Sequence, residues 1–181
     1  MPRYKISVEY KGTNYVGWQN QDNGISIQSL IEEALNSLTL EKSKVFGAGR
    51  TDAGVHAIKQ IAHFDIKKNF SEKSIKDGLN QHLRPNLISI TEANKVPNTF
   101  HARFSAKQRY YKYVIINRRA PLTLENELAW IVYKKLNIKN MQEASKYFLG
   151  KHNFEAFRSI NCQSKSPIKT IDYIEVKEEK N

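Results

Sequence analysis

At 181 residues with 40 % apolar content, the chain is long enough to bury one large core or two smaller ones sharing a sheet. It contains no apolar run of the roughly 18 residues that a membrane span needs, and its start, Met1-Pro2-Arg3-Tyr4, has no signal-peptide hydrophobic region, so the expectation is a soluble cytoplasmic protein. The single cysteine, Cys162, excludes an intrachain disulfide framework and a cysteine zinc cluster, while the net charge of +11 is informative through its distribution.

Tyr4, Ile6, Val8 and Tyr10 alternate with Arg3, Lys5, Ser7 and Glu9, which predicts a strand with one buried face. A helix follows, with Ser26 as N-cap and Ile27, Leu30, Ile31, Ala34, Leu35 and Leu38 on one stripe. Strands are expected near residues 44–46 and 60–66. Ser71 caps a second helix carrying Ile75, Leu79 and Leu83, which ends before Arg84-Pro85 because proline disfavours helical continuation; Leu87, Ile88 and Ile90 then form a short strand. This order, β-α-β-β-α-β, is the split βαβ or ferredoxin-like (RRM-like) arrangement. The second half starts similarly: strands at residues 109–116 and 129–133, a helix with Ile138, Met141, Ala144, Phe148 and Leu149 ending at Gly150, and a strand at 168–176. A second repeat would need another strand and helix, whereas only a charged tail follows, so this half is expected to be incomplete. The predicted class is α+β, with two ferredoxin-like halves, residues 1–100 and 101–181, sharing a mixed, largely antiparallel sheet with helices on one side.

Residues 47–56 read Gly-Ala-Gly-Arg-Thr-Asp-Ala-Gly-Val-His. Three glycines and two alanines surround one carboxylate, Asp52, so the backbone can bend sharply and a large partner can come close. Glycine-rich turns with an aspartate also serve merely to reverse a chain. Two features favour chemistry. Arg50 lies two residues before Asp52, the side-chain period of an extended segment, so the two can project to one side and pair, which would hold the carboxylate ionised. The run also lacks the Gly-Lys-Ser/Thr ending of a P-loop and the spacing of a dinucleotide turn, and an anion-binding nest would not place a carboxylate at its centre.

Residues 101–120 carry six basic and no acidic side chains, more than half of the net charge of +11. Arg103, Lys107, Arg109, Lys112, Arg118 and Arg119 are interleaved with Phe104, Tyr110, Tyr111 and Tyr113. Basic side chains neutralise phosphates and aromatic faces stack on unpaired bases, so RNA contact is favoured over a merely solvated surface. No His, Cys or carboxylate set has metal-ligand spacing, and Cys162, without a neighbouring His or second Cys, reads as a small buried side chain.

Residues 47–57 resemble, without a gap, the signature of the TruA family of tRNA pseudouridine synthases. Tyr10-Lys11-Gly12-Thr13-Asn14-Tyr15-Val16-Gly17-Trp18-Gln19-Asn20-Gln21, Ser26-Ile27-Gln28, Phe100-His101-Ala102-Arg103-Phe104-Ser105-Ala106, Arg109-Tyr110-Tyr111-Lys112-Tyr113, His152-Asn153-Phe154-Glu155-Ala156-Phe157-Arg158 and Lys169-Thr170-Ile171 resemble the same family in the same order. The resemblance implies an isomerase that converts uridines 38, 39 and 40 of the tRNA anticodon stem-loop to pseudouridine without a cofactor, as a homodimer gripping one substrate across both subunits. It assigns Asp52 as the essential carboxylate, attacking C1′ or C6 or assisting proton removal at C2′, routes among which residue types do not choose. It assigns Tyr111 as the residue stacking on the target uracil, with removal of the C5 proton as a second role open to it. A base within a stem must leave the stack before chemistry, and Arg50, His56, His101 and Arg103 are candidates for filling the gap and gripping the backbone, joined by Lys107, Arg109 and Arg158 as substrate-binding residues. For His56 and His101 a hydrogen-bonded structural role is the favoured reading, since the resemblance marks them without a chemical role. Family members continue for several dozen residues, so a truncated chain is expected. A non-catalytic RNA-binding module is the alternative; the presence of Asp52 beside Arg50 favours the enzyme.

Overall fold

A computed structural model describes residues 1–158 and 166–179; the expectation for Cys162 lies outside the described residues. The chain divides into two compact units, Met1–Lys112 and Tyr113–Asn181. Residues 101–112, expected with the second half, therefore belong to the first unit.

The first unit runs β1 (Arg3–Tyr10), α1 (Ile27–Thr39), β2 (Phe46–Gly47), β3 (Ala57–Asp65), α2 (Glu72–Leu83) and β4 (Ile88–Val96). The sheet order is β2-β3-β1-β4 with every neighbouring pair antiparallel, which is the split βαβ topology that the order of elements predicts. The alternation in β1 sets the core: Tyr4, Ile6, Val8 and Tyr10 are buried, opposite Phe64 and Ala62 of β3 and Ile90 and Ala93 of β4. Ile27, Ile31, Ala34 and Leu35 of α1 and Ile75, Leu79 and Leu83 of α2 pack into the same cluster, so both helices cover one sheet face. Both helix starts are the ones read from sequence. The Ser26 hydroxyl accepts the Ser29 N–H at 2.9 Å in a reciprocal capping box, and the Ser71 hydroxyl accepts the Ser74 N–H at 3.0 Å. Strand β4 is longer than expected because its polar half pairs with β1 as far as Val96 opposite Arg3.

The other sheet face carries Arg3, Lys5 and Ser7 beside Asp65, His63 and Ile61, and the segment after β4 packs against it. Arg3 forms a two-pronged pair with Asp65 at 2.7 and 2.8 Å, which holds the Asp65 carboxyl below its ordinary range, and donates at 2.6 Å to the carbonyls of Asn98 and Phe100. The Ala102 N–H donates to His63 Nδ1 at 3.2 Å, and Ala102 is only 1 % exposed.

Burial under this segment, with the charges of His101 and Arg3 nearby, pushes the His63 pKa below the usual histidine value; Asp65 and a backbone hydrogen bond at Phe46 pull the other way. Folded His63 therefore takes up its proton at lower pH than the unfolded chain, which does so below about pH 6.5, so folding stability present above that pH falls as pH drops. Urea midpoints of the wild type and His63→Gln compared at pH 7.5 and 5.5 should show the larger acid loss in the wild type, by at most about 1.4 kcal/mol per pH unit. Equal losses would remove His63 as the source.

In the second unit, β5 (Ile115–Ile116) pairs in parallel with β6 (Trp130–Ile131), and β7 (Gly150–Asn153) pairs antiparallel with β8 (Ile168–Ile171). Between them α3 (Ile138–Lys146) starts from Asn137, whose side chain accepts the Asn140 N–H at 3.0 Å. Phe154 sits in a ring cluster with Phe148, Phe157 and His152 at centroid separations of 6.0 to 6.3 Å, a packing role.

Several expected strands are shorter here. Residues 109–114 lie outside any strand and β8 stops at Ile171, because a strand needs a partner for its backbone N–H and C=O groups, and among the described strands the one such bond to residues 109–114 is that of the Trp130 N–H to the Val114 carbonyl, at 2.9 Å. Helix α3 likewise ends at Lys146, before the expected Gly150, which opens β7 at φ +92°. The class is α+β with antiparallel pairing dominant, but the single sheet expected to be shared by both halves is not present: the described strands form three separate sheets. Among the described residues no helix is long and apolar enough to cross a membrane.

Candidate active site

The Asp52 loop, residues 47–56, leaves edge strand β2 and returns into β3. A second segment, residues 10–18 at the end of β1, forms its seat, and the two meet so closely that glycine is required on both sides. A Cβ on Gly12 would lie 1.9 Å from the Val55 carbonyl oxygen, and one on Gly17, at φ +107°, would lie 2.4 Å from the Thr51 carbonyl oxygen. The indole of Trp18 covers Gly47, where a Cβ would stand 2.6 Å from the ring.

Hydrogen bonds then fix the loop in this seat. The Trp18 N–H donates to the Thr51 carbonyl at 3.0 Å, the Gly54 N–H to the Tyr15 carbonyl at 3.4 Å, and the Gly12 N–H to His56 Nδ1 at 3.0 Å. Tyr10 and Thr51 join through their hydroxyls at 2.9 Å. Burial raises the pKa of the Tyr10 phenol, an effect that the bond to Thr51 partly offsets, so the hydroxyl stays protonated. At the tip, the Val55 N–H closes a turn on the Asp52 carbonyl at 3.2 Å, with Gly54 at φ +79°. The backbone of Asp52 is held while its side chain stands exposed.

Arg50, Asp52 and His56 share this loop, but no ion pair joins Arg50 to Asp52 among the described residues, contrary to the expectation from their spacing. Both side chains are exposed, and an exposed pair is worth only about 0–1 kcal/mol against the entropy of holding it. His56 instead serves the seat, through its bond to Gly12.

Arg109 joins the loop from the basic segment: its guanidinium donates to the Ala48 carbonyl at 2.9 Å and lies against Gly49. Two residues on, Tyr111 is 74 % exposed, and its neighbours Tyr110 and, at the start of the second unit, Tyr113 are exposed as well. Lys107 is exposed as well. His101 lies instead in a ring cluster beside β2, 4.6 Å from His63 and 4.5 Å from Phe104, and its Nδ1 accepts the Arg103 N–H at 3.2 Å. The Arg103 guanidinium sits 5.8 Å over the Phe104 ring. Arg158 belongs to the second unit, where it pairs with Glu155 at 3.0 Å.

The residues that sequence reasoning left without a role are Tyr10, Gly12, Gly17, Trp18 and Thr51. The signal available was the glycine spacing in residues 10–18, which marks a close approach without saying to what.

The loop thus holds an exposed carboxylate at its tip, and Arg109 of the basic segment is bonded to the same loop through the Ala48 carbonyl. A family model described as tRNA pseudouridine synthase matches residues 6–105 and 144–181. The tRNA pseudouridine synthase A of Parvibaculum lavamentivorans is 49 % identical over 176 residues, which cover 97 % of this chain and 72 % of that protein. The enzymes of the same name from Beijerinckia indica subsp. indica, 49 % identical with 97 % and 68 % covered, and Ehrlichia ruminantium, 47 % identical with 96 % and 71 % covered, are similarly related. The chain belongs to the tRNA pseudouridine synthase family and is an isomerase by class, as the motifs of residues 10–21 and 47–57 imply.

Proposed function

We propose that the protein isomerises uridines 38, 39 and 40 of the tRNA anticodon stem-loop to pseudouridine in the cytoplasm, with Asp52 as the essential carboxylate. The observation that carries this is the seat: residues 47–56 are pinned on every side, yet the one carboxylate at the tip is exposed. In the reaction the N1–C1′ bond breaks, the uracil turns, and C5 bonds to C1′; C5 loses its proton and N1 gains one, so atoms and electrons balance without cofactor or energy input. Asp52 acts on C1′, C6 or the C2′ proton, each a task for a carboxylate. Tyr111, exposed beside Arg109, stacks on the everted uracil.

Arg50 and Arg109 grip the backbone flanking the everted nucleotide, with Arg103 and Lys107 extending the phosphate contacts; Arg158, in the second unit, is a further substrate-binding residue, and His56 and His101 are substrate-side residues with a structural role. The order strand, strand, helix, strand, strand in the second unit is compatible with its reading as a second ferredoxin-like half, and a homodimer presents two such tracks to one tRNA. The test is release of tritium from tRNA carrying label at uridine C5, by the wild type and by Asp52→Asn. Release by both proteins alike would defeat the assignment.

A second measurement addresses the basic segment. Each phosphate contact lowers the slope of log affinity against log salt by roughly 0.9 for duplex and 0.7 for single strands, so replacing Arg103, Lys107 and Arg109 by Ala should flatten it by about 2 to 3. Filter-binding titrations from 50 to 200 mM salt read this directly. An unchanged slope would place the phosphate contacts elsewhere.

A further inference from the structure

We infer that Tyr10 is a positioning residue for Asp52, acting through the hydroxyl of Thr51, an inference that rests on the assignment of Asp52 as the reacting carboxylate. The Asp52 side chain is exposed, so its place is set by its backbone, and that backbone lies between glycines and alanines with much conformational freedom. Thr51, the residue before it, is held twice: its carbonyl accepts the Trp18 N–H at 3.0 Å, and its side chain meets the Tyr10 hydroxyl at 2.9 Å.

Tyr10 is well placed to act as a strut. It is the last residue of β1, the strand bonded on both sides in the sheet, and it is 2 % exposed, with its ring 6.2 Å from that of Trp18. The phenol is thus as fixed as the core itself, and the hydroxyl carries that rigidity across 41 residues of sequence to the neighbour of the reacting group. Backbone bonds alone leave Thr51 free to rock about its carbonyl contact; the hydroxyl pair removes that motion. Since a misplacement of about 1 Å at a reacting group can cost about 10²-fold in rate, a contact that restrains the loop acts on turnover and not on substrate affinity.

The variants Tyr10→Phe and Thr51→Val each delete one hydroxyl and keep the shape, while Thr51→Ser keeps the hydroxyl. With tRNA labelled at uridine C5, Tyr10→Phe should lower kcat about tenfold, the effect of one lost hydrogen bond, with KM and tRNA affinity unchanged. Thr51→Val should match it, Thr51→Ser should stay near wild type, and the double variant Tyr10→Phe with Thr51→Val should be no slower than either alone. A merely structural hydroxyl would shift the melting temperature and leave kcat of the folded fraction intact, which overturns the inference. So would multiplying effects in the double variant. Asp52→Asn is measured alongside: if it is inactive while Tyr10→Phe runs at full rate, the strut fails and the Asp52 assignment stands; if Asp52→Asn is active, the assignment itself fails and the strut with it.

Discussion

Asp52→Asn is expected to lower tritium release by about 10⁴-fold while leaving tRNA binding within a factor of about three, a loss in the range found when an acid–base group or nucleophile is removed from an enzyme. Asparagine keeps the size and hydrogen-bonding reach of the side chain but can neither attack carbon nor take a proton. The substitution is well isolated structurally. The Asp52 side chain is exposed and makes no ion pair among the described residues, so its charge can be deleted without leaving a buried partner unsatisfied. The loop is held in its seat through Thr51, Gly54 and His56, and by the close packing of Val55 on Gly12, none of which involves the Asp52 carboxylate. Melting temperature should therefore hold, and affinity, carried by the basic segment, should hold or rise slightly as one negative charge leaves the surface. A parallel fall in binding would mean that the carboxylate organises the RNA site and does not react.

Local signals carried the first half of the fold. The Ser26 and Ser71 caps, the alternation in β1 and the stripes of α1 and α2 are each decided within about one turn or one strand of sequence, so they were legible directly. The site was legible as a motif but not as a mechanism of support. Tyr10 and Thr51 are 41 residues apart, and Arg3 reaches the carbonyl of Phe100 across 97 residues, pairings that no periodicity encodes. His63 sits on the face of β3 that alternation turns away from the helices; that it is buried depends on residues 97–105 folding over it. Arg50 and Asp52 have the right spacing to pair, but spacing supplies proximity and not a driving force, which is weak between exposed charges. The strand expected at residues 109–116 failed for a related reason. Its composition suits a strand, but a strand exists only where a neighbour accepts its hydrogen bonds, and β5 finds one for Ile115 and Ile116 alone.

Gly17→Ala is expected to destabilise the protein by about 2–4 kcal/mol, combining an over-packed contact with an alanine forced into left-handed backbone. The neighbour that an alanine Cβ would strike is the Thr51 carbonyl oxygen at 2.4 Å, and that oxygen already accepts the Trp18 N–H, so it cannot turn aside without giving up a bond. Gly54→Ala is the matched comparison: it too has positive φ, +79°, but nothing lies within 4 Å of the added carbon, so only the backbone strain of about 1 kcal/mol remains. The difference between the two variants in urea midpoint isolates the steric part. The same contact predicts a kinetic effect. If the alanine is accommodated, it is by residues 10–18 and the Asp52 loop moving apart by an ångström or so, and turnover of the remaining folded enzyme should drop by about 10²-fold. Equal stability losses for Gly17→Ala and Gly54→Ala would show that the two segments are not in firm contact, and with that the rigid seat beneath Asp52 would be lost as an explanation of how a glycine-rich loop holds a reacting group in place.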